Sequence, residues 1–210
     1  MFITVASYKG GVGKTTTAVH LAAYLQKLAP TLLIDGDPNR SSLVWAKNGK
    51  LPFTVVDKEE GPFHARNYQH VVIDTEARAG QADFEVLARG CDLLVIPSGI
   101  PATLEINALV LTLGVASQLA SHKYRVLLTL VPPSDEKETA ELRGILDRQR
   151  IPRFKAEIPD LKAFRKATRE GVPVSAVHDP RAPRAWQAYA ATGKEIIAVQ
   201  KATRKDSAHA

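Results

Sequence analysis

Residues 8–17, Tyr-Lys-Gly-Gly-Val-Gly-Lys-Thr-Thr-Thr, restrict this chain more than any other stretch. An apolar run, Phe2–Ala6, leads into them, and a helical pattern, Ala18–Leu28, leads out. Strand, glycine-rich turn and helix together form the setting in which a loop can wrap a phosphate. Gly10, Gly11 and Gly13 permit backbone turns that a Cβ would forbid and let N–H groups approach a ligand closely. The helix starts near Lys14, so its unpaired N–H groups and the positive end of its dipole face the same place. The expected phosphate cradle is therefore Gly10, Gly11, Val12, Gly13, Lys14, Thr15 and Thr16. Lys14 supplies a mobile charge for the terminal phosphates, and Thr15 offers a hydroxyl to Mg²⁺.

The common spacing G-x-x-x-x-G-K-[ST] fails at its first glycine, because position 8 is Tyr; the chain reads K-G-G-x-G-K-T-T, with a second lysine, Lys9, just ahead of the glycines. Lys9 cannot easily share the spot that Lys14 fills. Two readings stand: a solvated loop charge, or a cation that reaches a second nucleotide across a dimer. The string resembles the deviant Walker A box of the ParA/MinD family of ATPases. That resemblance implies ATP and Mg²⁺ as ligands, a homodimer formed on ATP binding, and contact of Lys9 with the partner subunit's nucleotide.

Length and composition set outer bounds. The 210 residues fit one medium domain. A content of 45% hydrophobic and 24% charged residues is that of an ordinary globular protein. No apolar run approaches the ~20 residues of a membrane span. The single cysteine, Cys91, excludes a disulfide framework, fits a reducing cytoplasm, and is too few for the iron-sulfur cluster of nitrogenase relatives. The six histidines show no metal-ligand spacing and read as surface or boundary residues. With the loop starting at residue 8, neither a secretory leader nor a helix-turn-helix extension is expected ahead of it.

Short apolar runs alternate with helical patterns along the chain, which argues βαβ units and an α/β fold. The expected architecture is a doubly wound, mainly parallel sheet with helices on both faces, as one domain over residues 1–200 and a frayed polar tail over 201–210. The runs are Phe2–Ala6, Thr31–Asp35, Phe53–Val56, His70–Thr75, Asp92–Pro97 and Tyr124–Val131. Helices are predicted over Leu43–Ala46, Asp83–Arg89, Thr103–Leu119 and from Pro132-Pro133-Ser134-Asp135 to about Gln149. Trp45 reads as a packing residue.

Two runs end in acids. Asp35-Gly36-Asp37-Pro38-Asn39 lies at a strand's carboxyl end, where open parallel sheets hold ligands. It resembles the second motif of the family, usually D-x-D-P-Q, and the resemblance implies that Asp35 holds the metal's water shell while Asp37 orients the attacking water. An Asp-Pro turn with Ser41 or Ser42 as helix cap is compatible with this. Asp74, ending the run from His70, has the shape of a Walker B acid that holds Mg²⁺. The continuation Thr75-Glu76-Ala77-Arg78-Ala79-Gly80 is longer and more charged than the family's usual Asp-Thr-(Pro or Ala)-x-Gly. In the family, residues at the place of Pro132 and Pro133 let main chain embrace adenine; a plain turn explains these prolines equally well. Ser98-Gly99-Ile100-Pro101 stands where the family often contacts partner or nucleotide.

From Arg143 to Arg169, nine basic residues stand against three acidic ones, an excess equal to the chain's whole net charge of +6. Within it, residues 160–171 read as a helix capped by Asp160 and stopped by Gly171. Lys162, Arg165, Lys166 and Arg169 fall on one face, with Leu161, Phe164 and Thr168 turned inward. A solvated stripe is the usual meaning of such a run. The resemblance implies instead non-specific binding of double-stranded DNA by the ATP-bound dimer, hence a cytoplasmic, nucleoid-associated protein. No aromatic residue interleaves the charges, so backbone contact without base stacking is expected.

Three functions compete. The first is a ParA-type ATPase that segregates or positions a cargo, either a plasmid or chromosome partition complex or a carboxysome. A small ParB-like or carboxysome adaptor protein would stimulate its hydrolysis. The second is a MinD-like membrane ATPase, which needs a C-terminal amphipathic helix; Ile196, Ile197 and Val199 make too narrow an apolar face for stable insertion. The third, a synthetase or kinase of the same fold, would need an acid/base constellation beyond the nucleotide motifs.

Overall fold

The computed structural model describes residues 1–7, 9–76, 86–87, 89–99, 114, 123–132 and 136–207. Six runs form strands: β1 (Phe2–Val5), β2 (Thr31–Gly36), β3 (Thr54–Asp57), β4 (His70–Thr75), β5 (Leu93–Ser98) and β6 (Tyr124–Leu128). Most are apolar on both faces, as strands covered by helices on each side must be. They pair in the order β3-β2-β4-β1-β5-β6, every ladder parallel. The chain leaves β1 outward in both directions, which puts the carboxyl end of β1 at the crevice where such sheets hold ligands.

Six α-helices lie among the described residues: α1 (Lys14–Gln26), α2 (Ser41–Asn48), α3 (Gly61–His64), α4 (Glu136–Arg148), α5 (Lys162–Glu170) and α6 (Ala182–Ser207). On one face of the sheet, Ile3, Val5, Leu33, Val72 and Val95 pack against Ala18, Leu21, Ala22 and Leu25 of α1, with α5 and α6 beyond. On the other, Leu94, Ile96, Val126 and Leu128 pack against Leu142 and Leu146 of α4. Helices on both faces of a parallel sheet are what the alternating pattern predicts.

Several details depart from expectation. β6 ends at Leu128, three residues early; Leu130 turns with φ 53°, and Val131 keeps only a single bridge, to Pro159. The helix α2 is longer than its predicted core, and its N-cap is Arg40, with φ 51° and no side-chain hydrogen bond, rather than a serine. The basic helix α5 is preceded by Leu161 instead of an Asp160 cap, and Gly171 ends it in the left-handed region as expected. Thr168 is exposed, and Ala163 and Ala167 take the inward positions beside Phe164. The supposed frayed tail is helical through Ser207. Most of the helices predicted over 83–89 and 103–119 lie outside the described residues, as do Ile100 and Pro101.

His20 overturns its surface reading, since it is fully buried. It stacks on Tyr189 at 4.7 Å and meets Trp45 and Phe164 edge-on, at 5.8 and 5.3 Å. Val174 N–H donates to Nε2 at 3.0 Å, which leaves Nδ1 as the protonated nitrogen, donating to Thr16 O at 2.6 Å. The ring is therefore neutral in one tautomer, and burial lowers its pKa from 6.5 to about 4.

The folded-state pKa lies below the unfolded one, so this stabilisation is complete above pH about 6.5 and is lost as pH falls toward 4. The loss amounts to about 3 kcal/mol by linkage. Urea unfolding between pH 7 and 4 will show this slope, and His20→Gln will flatten it.

Candidate functional site

The loop between β1 and α1 is built as a cradle. Gly11 and Gly13 take φ of 74° and 82°, conformations that side chains rarely adopt. Thr129, at the end of β6, donates its hydroxyl to Val12 O at 2.8 Å and ties the loop to the far strand. Ser7 Oγ accepts Lys9 N–H at 3.4 Å. Lys14 is buried, and its ammonium donates to Lys9 O at 3.0 Å, curling back over its own loop. Burial lowers the Lys14 pKa, while the nearby charges of Asp74 and Asp37 partly restore it. Lys9 itself is half-buried.

The parallel register delivers the acids. Val5, Asp74 and Asp35 are neighbours across β1, β4 and β2, so two carboxylates lie side by side at the carboxyl edge beneath the loop. Asp35 accepts Asp37 N–H at 3.0 Å and Leu43 N–H at 2.9 Å, one on each oxygen. Those two bonds leave it only its remaining lone pairs for a metal's water. Asp37 accepts both the backbone N–H and side-chain amide of Asn39, at 2.9 and 3.0 Å. Asn39 in place of Gln thus folds back onto the acid.

Asp74 is fully buried. Ser42 donates to its Oδ2 at 2.9 Å, and Oδ1 has no hydrogen-bond partner of standard geometry. Burial raises its pKa from 3.8 to about 7, with the hydroxyls of Thr15 and Ser42 pulling the other way and the charges of Asp35 and Asp37 adding to the rise. A buried carboxylate oxygen without a partner, beside a threonine hydroxyl, suits a hard cation with oxygen ligands. Among the described residues no group of three His, Cys, Asp or Glu could hold a metal alone, so phosphate and water would complete the shell.

The structure thus brings the loop, Lys14, Thr15, Asp35, Asp37 and Asp74 to one edge. Pro132 stands half-buried past Thr129, close in sequence to the loop contact, and Pro133 lies outside the described residues. The basic residues of α5 are elsewhere and belong to a separate surface. Ser42 and Thr129 were not legible as site residues. Ser42 reads as a helix cap, and nothing near either residue in sequence signals its distant partner.

A glycine loop with a buried lysine and acidic strand ends, on a parallel sheet, defines a P-loop nucleotide-binding protein. Residues 3–174 match the CobQ/CobB/MinD/ParA nucleotide binding domain, and the chain belongs to that family. It is 34% identical over 201 residues to the maintenance of carboxysome distribution protein A of Gloeobacter kilaueensis, covering 92% of this chain and 93% of that one. It is 36% identical over 140 residues to the chromosome-partitioning ATPase Soj of Thermus thermophilus, covering 58% and 55%. Among solved structures, an ATP complex of Cyanothece McdA superposes with TM-score 0.70 at 17% identity, over 94% of this chain and 96% of that one. The MinC:MinD complex of Aquifex aeolicus gives 0.71 at 19%, over 94% and 95%.

Lys14→Ala will weaken nucleotide binding by roughly 100-fold, the worth of a charged hydrogen bond in a dry site. Titration with a fluorescent ATP analogue measures it.

Proposed function

We propose that the chain is a ParA-type ATPase that positions a cargo, with a carboxysome the best-supported candidate. The observation that carries this reading is the likeness, over nearly the full length of both chains, to a carboxysome distribution protein. In this reading the loop N–H groups of residues 10–16 bind the phosphates and Lys14 meets the terminal ones. Thr15, Asp74 and, through water, Asp35 would hold Mg²⁺, which supplies charge neutralisation between the phosphates when bound. Asp37 sits at the edge of the same group and orients water. Phosphoryl transfer depends mainly on placement and charge, so one carboxylate that fixes water is enough. Lys9 reaches the nucleotide of a second copy and makes ATP the condition for a dimer.

The exposed side of α5 would meet DNA. Lys162, Arg165 and Arg169 are exposed. Lys166 contributes less, because its ammonium donates to His178 O at 2.7 Å and lies 3.8 Å from Glu170. A small adaptor protein bound to the cargo would stimulate hydrolysis and release. The membrane alternative is weakened by α6: Ile196 is fully buried and Ile197 packs on the core, while Lys201, Ala202 and Lys205 face solvent. No helix among the described residues is long and apolar enough to cross a membrane.

Lys9→Ala will bind ATP but remain monomeric by light scattering; dimers in that variant sink the role given to Lys9. Asp37→Ala will keep ATP and lose most turnover in a phosphate-release assay. Arg165→Glu with Arg169→Glu will weaken filter binding to arbitrary duplex DNA and flatten the slope of log affinity against log salt by about two, roughly one per arginine.

A further inference from the structure

The helix α2 is fastened at both ends by contacts that helix formation does not require. In its first turn Ser42 is fully buried, and its hydroxyl holds Asp74 Oδ2 at 2.9 Å, while Leu43 N–H holds Asp35 Oδ2 at 2.9 Å. Further along, Trp45 is buried and its indole N–H donates at 3.2 Å to the carbonyl of Val172, just past the end of α5. At the far end, a Cβ on Gly49 would lie 2.4 Å from Glu170 O and 2.5 Å from Gly171 O. A Cβ on Gly171 would lie 2.2 Å from Gly49 N. Backbone therefore rests on backbone where α2 meets α5. The eight residues of α2 span about 12 Å at 1.5 Å per residue, from the acids of the nucleotide site to the end of the basic helix.

We propose that Ser42 is a positioning residue for Asp74, and that α2 is a rigid link by which the state of that carboxylate sets the position of α5. For its effect on DNA this rests on the reading of α5 given above. Ser42 holds Asp74 Oδ2, and Oδ1 has no hydrogen-bond partner of standard geometry, so a cation drawing on Oδ1 moves the one planar carboxylate and pulls on the bond from Ser42. Ser42 belongs to the helix and not to a loop, so that pull is delivered to α2 as a whole. At the other end no flexible side chain stands between Gly49 and Gly171 to absorb the movement. A ligand shifts an equilibrium only through contacts that differ between the two states. The Ser42–Asp74 hydrogen bond is that differing contact.

Trp45 reports on the joint directly. The chain has two tryptophans, so Trp186→Phe leaves Trp45 as the sole tryptophan, excited selectively over the tyrosines at the red edge of its absorption. Its emission and acrylamide quenching are read without nucleotide, with MgADP and with MgATP, each at saturation as judged by a fluorescent ATP analogue. The link predicts a change on MgATP in the Trp186→Phe protein and its loss when Ser42→Ala is added. No change in the first protein while nucleotide binds, or the same change in both, overturns it.

The second arm measures retention of an arbitrary DNA duplex by the full chain and by Trp45→Phe, which removes the bond to Val172 and decides the matter if Ser42→Ala does not fold. The ratio of DNA affinity with MgATP to that without nucleotide falls about fivefold, the order of one hydrogen bond. An unchanged ratio overturns the link and leaves the DNA reading standing. DNA binding absent in every nucleotide state, with the tryptophan response and its loss in Ser42→Ala intact, supports the link and overturns the DNA reading.

Discussion

A lysine ammonium and two carboxylates are held almost out of water at the carboxyl edge of the sheet, and the architecture around them serves that placement. Lys14 is 7% exposed, Asp35 3% and Asp74 0%. Taking charge out of water is costly, and the attraction among these groups offsets it only in part: burial lowers the pKa of Lys14 and lifts that of Asp74 to about 7. Stability alone gives no reason to assemble such a group. Opposed shifts on neighbouring residues in a cleft mark a site kept for a ligand, and the family to which the chain belongs binds nucleotides.

The helix α1 joins that arrangement to the core. Its first turn frames the loop and its middle fills one face of the sheet core. Its remaining side meets the cluster of His20, Trp45, Phe164 and Tyr189. Thr17 and Tyr189 share a hydrogen bond at 3.1 Å, and His20 uses both ring nitrogens. These polar atoms are buried yet paired, so they specify how α1, α5 and α6 fit without the penalty of an orphaned group. Nucleotide loop and basic helix thus share one packed centre.

Charge counting overstates the basic surface. Of the nine cations between 143 and 169, Arg143 makes a two-point pair with Glu157 and Arg153 another with Asp147. Lys166 closes onto a backbone carbonyl. Planar guanidinium and carboxylate groups match geometrically, which suits these arginines to fixing loops between elements. What remains outward on α5 is Lys162, Arg165 and Arg169, a narrower face than the linear count suggests.

The phosphate loop, the six strands, the parallel α/β class and the acids Asp35, Asp37 and Asp74 were legible in the sequence, because each is encoded by neighbours: glycines beside a lysine, or apolar runs closed by an acid. His20, Ser42 and Thr129 were not. A histidine in a helix, a serine before an apolar run and a threonine at a strand end carry no local mark of partners 154, 32 and 117 positions away. Local spacing determined which residues could bind a phosphate and where strands begin. Only the strand order, which sets Asp74 between Val5 and Asp35, decided that two carboxylates share one dry edge. That order also brings Val12 of the glycine loop within reach of Thr129. Burial and long-range pairing are properties of the assembled sheet, and no stretch of chain holds them by itself.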